Sequence, residues 1–173
     1  LYDPGTGWST TGSLNETRRG ASVIRLQDGR VLAAGGSGGD YSAFLNSCEI
    51  YDSGVWNYTG SFTDPRAFGG GVLLPNGKFL MAGGWGGPWY DNGPLSSCQL
   101  YDPGPGTWTA TGSLNFARQE QPAVLLPSGQ VLTFGGGGGE VKLPSAELYN
   151  PSTGRWRVTG SLNTARSTSS AVM

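Results

Sequence analysis

The sequence repeats itself at intervals of about 50 residues, and this repeat restricts the possible folds more than any other feature. A segment of an aliphatic residue, a tyrosine and a turn-forming pair occurs four times. The copies are Leu1-Tyr2-Asp3-Pro4, Ile50-Tyr51-Asp52-Ser53, Leu100-Tyr101-Asp102-Pro103 and Leu148-Tyr149-Asn150-Pro151. Such a period indicates that one supersecondary unit has been copied about four times.

Each copy continues with a tryptophan, a glycine-led phrase and an arginine, and three copies then reach a glycine pair. The tryptophans are Trp8, Trp56, Trp108 and Trp156, the phrases begin at Gly12, Gly60, Gly112 and Gly160, and the arginines are Arg18, Arg66, Arg118 and Arg166. The glycine pairs are Gly35-Gly36, Gly83-Gly84 and Gly135-Gly136, and the turns before them are Asp28-Gly29, Asn76-Gly77 and Ser128-Gly129. An Asx-Gly turn between apolar runs is a strong hairpin signal, so we predict four short antiparallel strands in each copy.

The glycine and aromatic contents together favour a packed all-β chain. The 173 residues include 31 glycines, 6 tryptophans, 7 tyrosines and 6 phenylalanines. These aromatic residues can bury a core, which excludes a collagen-like or disordered chain. Glycine beside large aromatic side chains suits tapered sheets that pack face to face around an axis. The predicted fold is therefore an all-β propeller segment of four-stranded antiparallel blades.

The combined motifs resemble the kelch repeat, and the resemblance spans essentially the whole chain. It is nearest to bacterial-type kelch sequences, which are similar to the propeller of galactose oxidase and glyoxal oxidase. The resemblance implies three complete blades at residues 18–65 (unit 1), 66–117 (unit 2) and 118–165 (unit 3). Residues 1–17 are expected to form the outer strands of a partial blade, and residues 166–173 the first strand of another. Because three blades do not close a ring, we expect a fragment of a longer propeller or a chain that self-associates.

Charge and hydropathy argue against two classes of partner. The chain has 11 Lys and Arg residues against 12 Asp and Glu residues, and no basic block. Nucleic-acid binding depends on such positive charge, so no nucleic-acid partner is expected. No apolar run approaches the ~18 residues of a membrane-spanning helix, so no membrane span is expected.

The absence of histidine bears on catalysis. The oxidases that the sequence resembles hold copper through histidines and a cysteine-linked tyrosine. Imidazole is also the commonest metal ligand and general base. We therefore expect a non-catalytic chain with no metal site, no cofactor and no catalytic residue. The alternative is a non-catalytic portion of an oxidase-like copper enzyme whose ligands lie outside this sequence.

The repeated side chains are expected to serve the fold. An aromatic residue at the same place in every copy packs between neighbouring sheets. We predict that Trp56 and Trp108 are mostly buried and matter more for stability than Trp8 and Trp156, near the two ends. No helix follows the glycine pairs, so close approach of sheets explains them better than phosphate binding. The arginines either hold loops through backbone carbonyl groups or face a ligand.

Residues outside the repeat are candidates for ligand binding. From the glycine pairs to Cys48, Cys98 and Ala146 the gaps are 12, 14 and 10 residues. Aromatic residues in the two longer gaps can stack on a sugar ring, anchor a peptide or fold back over the blade. The predicted function is a scaffold that binds a protein or glycan through these variable loops. The predicted ligand-binding residues are Trp85, Trp89, Tyr90, Tyr41 and Phe44.

The cysteines and the asparagine sequons give weaker information. Cys48 and Cys98 stand at equivalent positions of successive units, where unit 3 has Ala146. We predict that both are reduced, unconnected and placed in a small apolar slot. The chain has only two lysines, and glycosylation sequons begin at Asn15 and Asn57. These two features favour an extracellular or cell-surface location.

Overall fold

The computed structural model describes residues 1–39, 43–86 and 93–167, and these residues form strands and no helix. In chain order the strands are β1 (Tyr2–Asp3), β2 (Gly7–Trp8), β3 (Ser22–Arg25), β4 (Val31–Ala34), β5 (Cys48–Asp52), β6 (Val55–Thr59), β7 (Arg66–Ala67), β8 (Gly70–Leu73), β9 (Phe79–Ala82), β10 (Trp85–Gly86), β11 (Gly93–Pro94), β12 (Cys98–Asp102), β13 (Thr107–Thr111), β14 (Ala123–Leu125), β15 (Val131–Phe134), β16 (Ala146–Asn150) and β17 (Arg155–Thr159). The prediction of an all-β chain is confirmed. This part of the chain contains no helix with the length and apolar character needed to cross a membrane.

Each repeat unit forms one four-stranded antiparallel sheet. Sheet 1 contains β3, β4, β5 and β6; sheet 2 contains β8, β9, β12 and β13; sheet 3 contains β14, β15, β16 and β17. Two smaller sheets consist of β1 with β2 and of β7, β10 and β11. Within the described ranges no sheet closes on itself. The prediction of three four-stranded antiparallel sheets is therefore confirmed.

The first hairpin of each sheet turns where the sequence predicts it. Gly29, Gly77 and Gly129 have φ angles of 93°, 81° and 78°, which glycine adopts without steric cost. In the first two turns the side chain helps to fix the loop, because Asp28 and Asn76 each accept a hydrogen bond from the backbone N–H two residues later. These turns align both strands of the hairpin in register.

The apolar core lies between consecutive sheets. One cluster joins Leu32 and Cys48 of sheet 1 to Phe79 and Met81 of sheet 2. A second cluster joins Leu80, Ala82 and Cys98 of sheet 2 to Val131, Tyr149 and Trp156 of sheet 3. Successive side chains of a strand point to opposite faces, so β9 contributes to both clusters and is buried throughout. This explains why β9 is apolar at every position instead of alternating.

Trp108 and Trp156 pack on the sheet that precedes their own. The ring of Trp108 lies 4.2 Å from that of Phe62, and its Nε1 donates to the carbonyl of Gly60 at 3.0 Å. Trp156 belongs to the cluster between sheets 2 and 3 and is 9% exposed. Trp8, which follows no described sheet, is 83% exposed.

The expectation that Trp156 resembles Trp8 as an end residue is wrong. Trp156 is the most buried of the four, Trp56 and Trp108 are half-buried, and Trp8 is exposed. Sheet 2 lies before Trp156 and no described sheet lies before Trp8, which separates two residues that the sequence treats alike.

The cysteine prediction is confirmed. Cys48 and Cys98 are free thiols and fully buried. They pair with Ala34 and Ala82 on the neighbouring strands, and Ala146 holds the same place in sheet 3. Burial raises the pKa of both thiols to about 11.

Candidate functional site

The repeated tyrosines and glycine-led phrases make identical contacts at the junctions between sheets. Thr59 Oγ1 shares a hydrogen bond of 2.7 Å with the hydroxyl of Tyr101, and Gly60 N–H donates to the carbonyl of Gly106 at 2.9 Å. The equivalent pairs elsewhere are Thr11 with Tyr51, Thr111 with Tyr149, Gly12 with Gly54 and Gly112 with Gly154. The phrase must begin with glycine because a Cβ at Gly60 would lie 2.3 Å from that carbonyl oxygen. The tyrosine hydroxyls therefore serve the scaffold.

The glycine pairs allow the next unit to approach closely. Gly36 N–H donates to the carbonyl of Arg66 at 2.8 Å, and a Cβ at Gly35 would lie 2.3 Å from the same oxygen. Gly84 and Gly136 donate in the same way, at 2.9 and 2.8 Å, to the arginines that open the following units. The interpretation of these pairs as close-approach positions is confirmed.

The repeated arginines hold loops together through backbone carbonyl groups. Arg118 Nη1 donates to the carbonyls of Gly135 at 2.7 Å and Ser145 at 3.0 Å. Arg18 and Arg66 make the equivalent contacts in their own units. Burial lowers the pKa of Arg66 and Arg118, which are almost inaccessible to solvent. Of the two interpretations of the arginines, the structure favours the first.

A buried carboxylate completes this network in units 1 and 3, and sequence reasoning missed it. Glu147 accepts hydrogen bonds from Asn115 N and Nδ2, both at 2.8 Å, from Phe116 N at 3.1 Å and from Arg118 Nη2 at 2.9 Å. Glu49 accepts the corresponding bonds in unit 1, from Asn15 N and Nδ2, from Glu16 N and from Arg18 Nε. Desolvation raises the pKa of Glu49, but the hydrogen bonds outweigh it and the net pKa is lowered. The available signal was the recurrence of Asn and Glu at matching positions in two units.

Unit 2 departs from this pattern. Gln99 replaces the glutamate and Thr63 replaces the asparagine. Arg66 is 1% exposed and donates to Gly83 O, Ser97 O and Ser97 Oγ at 3.2, 2.9 and 2.9 Å. None of the ion pairs in the described ranges includes Arg66. Unit 2 therefore carries a buried guanidinium without a carboxylate partner there.

Trp85 lies at the base of the unit 2 variable loop and belongs to a strand. It opens β10, where it pairs with Ala67 on one side and Pro94 on the other. The same position holds Ser37 in unit 1 and Gly137 in unit 3, and both of those residues are buried. Trp85 is half-buried and so presents an aromatic surface where the other units present almost no side chain.

The remaining predicted ligand-binding residues are only partly within the described structure. Phe44 is half-buried and pairs with Ser37 across an isolated β-bridge. Trp89, Tyr90 and Tyr41 lie outside the described residues. Among the aromatic contacts found in residues 1–39, 43–86 and 93–167, none joins Phe44 to Trp85. Phe44 thus stands opposite Ser37 in unit 1 as Pro94 stands opposite Trp85 in unit 2.

Comparison with known proteins and a search for metal ligands both give negative results. No family model matches the chain, and no curated protein matches it. The described part of the chain contains no group of three or more His, Cys, Asp or Glu side chains that is placed to hold a metal ion.

Proposed function

We propose that the chain is part of a kelch-type β-propeller and acts as a non-catalytic scaffold that binds a protein or glycan through its variable loops. One observation carries this proposal. Apart from Gly160, the tyrosines, arginines and glycines that recur in units 1 to 3 make contacts between or within units, as the Thr59–Tyr101 and Arg118–Gly135 hydrogen bonds illustrate. We therefore assign binding of the protein or glycan to the residues that do not recur.

The contacts at one edge of the sheets support the propeller. The residues just before the first strands are joined in a row, because Phe68 N–H donates to Gly20 O at 2.9 Å and Glu120 N–H donates to Phe68 O at 2.8 Å. All three residues have positive φ angles, of 65°, 59° and 55° in chain order. Equivalent residues linked in succession are consistent with sheets arranged around an axis.

The exposed surfaces at the first and last repeats are consistent with packing against a further sheet of the same kind. Tyr2 and Trp8 are 60% and 83% exposed, whereas the equivalent Tyr101 is fully buried. A Cβ at Gly160 would meet nothing within 4 Å, although the equivalent glycines face a carbonyl oxygen. The rest of a longer propeller, or another copy of the chain, would supply the missing contacts.

The proposed extracellular location leads to a specific expectation for glycosylation. Asn15 Nδ2 donates to Glu49 Oε2 at 2.8 Å and to Trp56 O at 2.9 Å, so a glycan, which replaces one of the two Nδ2 hydrogens, would break one of these bonds. Asn57 is exposed on β6. Mass spectrometry of chain secreted from eukaryotic cells is expected to find a glycan on Asn57 and none on Asn15. A glycan on Asn15 in the folded protein would contradict the role given to that side chain.

The loop hypothesis is tested with the double variant Trp89→Ala/Tyr90→Ala. We expect it to lose binding on a glycan array or to a purified partner, with a nearly unchanged melting temperature. The matched control is Trp8→Ala, which removes an exposed tryptophan away from the variable loops. Normal binding by the double variant would show that these two loop residues do not bind the ligand. A lower melting temperature, with binding lost only on unfolding, would mean that these residues pack on the sheets.

A further inference from the structure

Two equivalent grooves lie at the end of the sheets opposite the variable loops, where the hairpin turns meet. The narrow groove, between sheets 1 and 2, has a volume of about 220 Å³ and is lined by residues that include Gln27, Lys78 and Asp102. The wide groove, between sheets 2 and 3, has a volume of about 590 Å³. Its lining includes Pro75, Asn76, Ser128, Gln130, Asn150 and Pro151. Ligand pockets typically measure about 300–1,000 Å³, a range that contains only the wide groove.

Polar side chains cross or border the narrow groove. Arg30 Nη2 from sheet 1 donates to the carbonyl of Pro103 in sheet 2 at 2.9 Å. Gln27 Nε2 donates to the carbonyl of Pro75 at 3.3 Å. Lys78 and Asp102 form an ion pair of 3.0 Å along one wall. The two hydrogen bonds tie sheet 1 to sheet 2, and the ion pair lies within sheet 2.

Substitutions at the equivalent positions leave the wide groove open. Pro75 stands where sheet 1 has Gln27, and proline has no side-chain donor. Lys78 stands where sheet 1 has Arg30, but it pairs with Asp102 of its own sheet. The positions of Lys78 and Asp102 are taken in sheet 3 by the uncharged Gln130 and Asn150.

The wide groove is lined by neutral hydrogen-bonding groups and has no charged residue in its lining. Asn150 Oδ1 accepts hydrogen bonds from Ser152 N at 3.0 Å and Ser152 Oγ at 2.7 Å, and Asn76 Oδ1 accepts one from Lys78 N at 3.1 Å. Since these oxygens are used within their own turns, the amide NH₂ groups are left as donors for a ligand. Pro75 and Pro151 add rigid apolar surface.

We propose that the wide groove binds a neutral saccharide, at a site separate from the variable loops. Sugar hydroxyl groups both donate and accept hydrogen bonds and so match carboxamide and serine side chains. An ionised ligand would lose hydration in this groove without gaining a countercharge. The ring faces of a saccharide supply C–H surface for the two prolines.

The test uses ¹⁵N-labelled 173-residue chain titrated with the neutral trisaccharides maltotriose and cellotriose, with trigalacturonate as an anionic probe. We expect a neutral probe to shift the side-chain NH₂ signals of Asn76, Gln130 and Asn150 at concentrations of about 1 mM, a typical weak affinity. Trigalacturonate is expected to cause no such shifts.

The variant Gln130→Lys/Asn150→Asp introduces the ion pair that sheet 2 already carries at these positions, so the turn is expected to keep its fold. We expect it to weaken saccharide binding at least tenfold. The matched control, Lys78→Gln/Asp102→Asn, alters the narrow groove and is expected to bind like the parent chain. The proposal is overturned if neither neutral probe shifts these signals, if trigalacturonate binds equally well, or if the groove variant binds normally. Shifts confined to the variable loops would support the scaffold function and overturn this site.

Discussion

The missing carboxylate of unit 2 makes the substitution Gln99→Glu an informative test of the buried network. The new carboxylate would lie where Glu147 lies in unit 3, beside a guanidinium that is already buried. Its other donors would be the backbone N–H groups of Thr63 and Asp64, which correspond to those of Asn115 and Phe116. The desolvation of the arginine is present in the parent chain, so the variant adds only that of the carboxylate.

The expected effect is a modest gain in the free energy of unfolding. A hydrogen bond to a charged group contributes about 1.5–3 kcal/mol, and three such bonds would form. Desolvation of the carboxylate offsets several kcal/mol of that sum, which leaves a net stabilisation of about 1–2 kcal/mol. The additional change Thr63→Asn would restore the side-chain donor of units 1 and 3 and add about 1 kcal/mol.

Urea denaturation measures this difference, provided that the slope m is unchanged. For a chain of this size the expected rise in melting temperature is about 2–8 °C. The reciprocal variant Glu147→Gln leaves Arg118 without its carboxylate and is expected to cost about 3 kcal/mol. Destabilisation by Gln99→Glu, or no effect of Glu147→Gln, would refute the view that these carboxylates compensate the buried arginines.

Three further outcomes follow from burial and charge. Trp156→Ala is expected to lower the free energy of unfolding by about 3–5 kcal/mol and Trp8→Ala by less than about 0.5 kcal/mol, and equal losses in denaturation would contradict packing on the preceding sheet. Because the pKa of Glu49 is lowered in the folded protein, its contribution is complete above the ordinary value of 4.5 and is lost as the pH falls through the lower folded pKa. A pH series of unfolding curves should show this loss in the parent chain and a smaller loss in Glu49→Gln. Finally, Cys48 and Cys98 have pKa values of about 11 and should react with a thiol reagent at pH 8 only after unfolding; rapid reaction of the native chain would contradict their burial.

The sequence predicted the sheets well because their signals are local and repeated. The Asn76-Gly77 turn lies where the hairpin signal placed it, and β8 and β9 flank it. The function of the glycine pairs was also predictable, since no helix follows them. A pattern repeated three or four times averages out the irregularities of any single copy.

The features that the sequence did not reveal depend on distances across the chain. Glu147 and Asn115 are 32 residues apart, and only the folded structure shows that they meet. The burial of Trp156 depended on the direction of packing, which the spacing of the repeats does not encode. The wide groove arises from changes in three separate turns, none of which is unusual alone.

The one-way packing of the tryptophans has a consequence for synthesis of the chain. When Trp108 leaves the ribosome, its partners Phe62 and Gly60 have already been made. The same holds for Trp156 and the residues of sheet 2. Each sheet can therefore dock as soon as it is complete, in N-terminal to C-terminal order, without waiting for a later segment. Aggregation-prone aromatic surface on the nascent chain is thereby limited to about one repeat unit at a time.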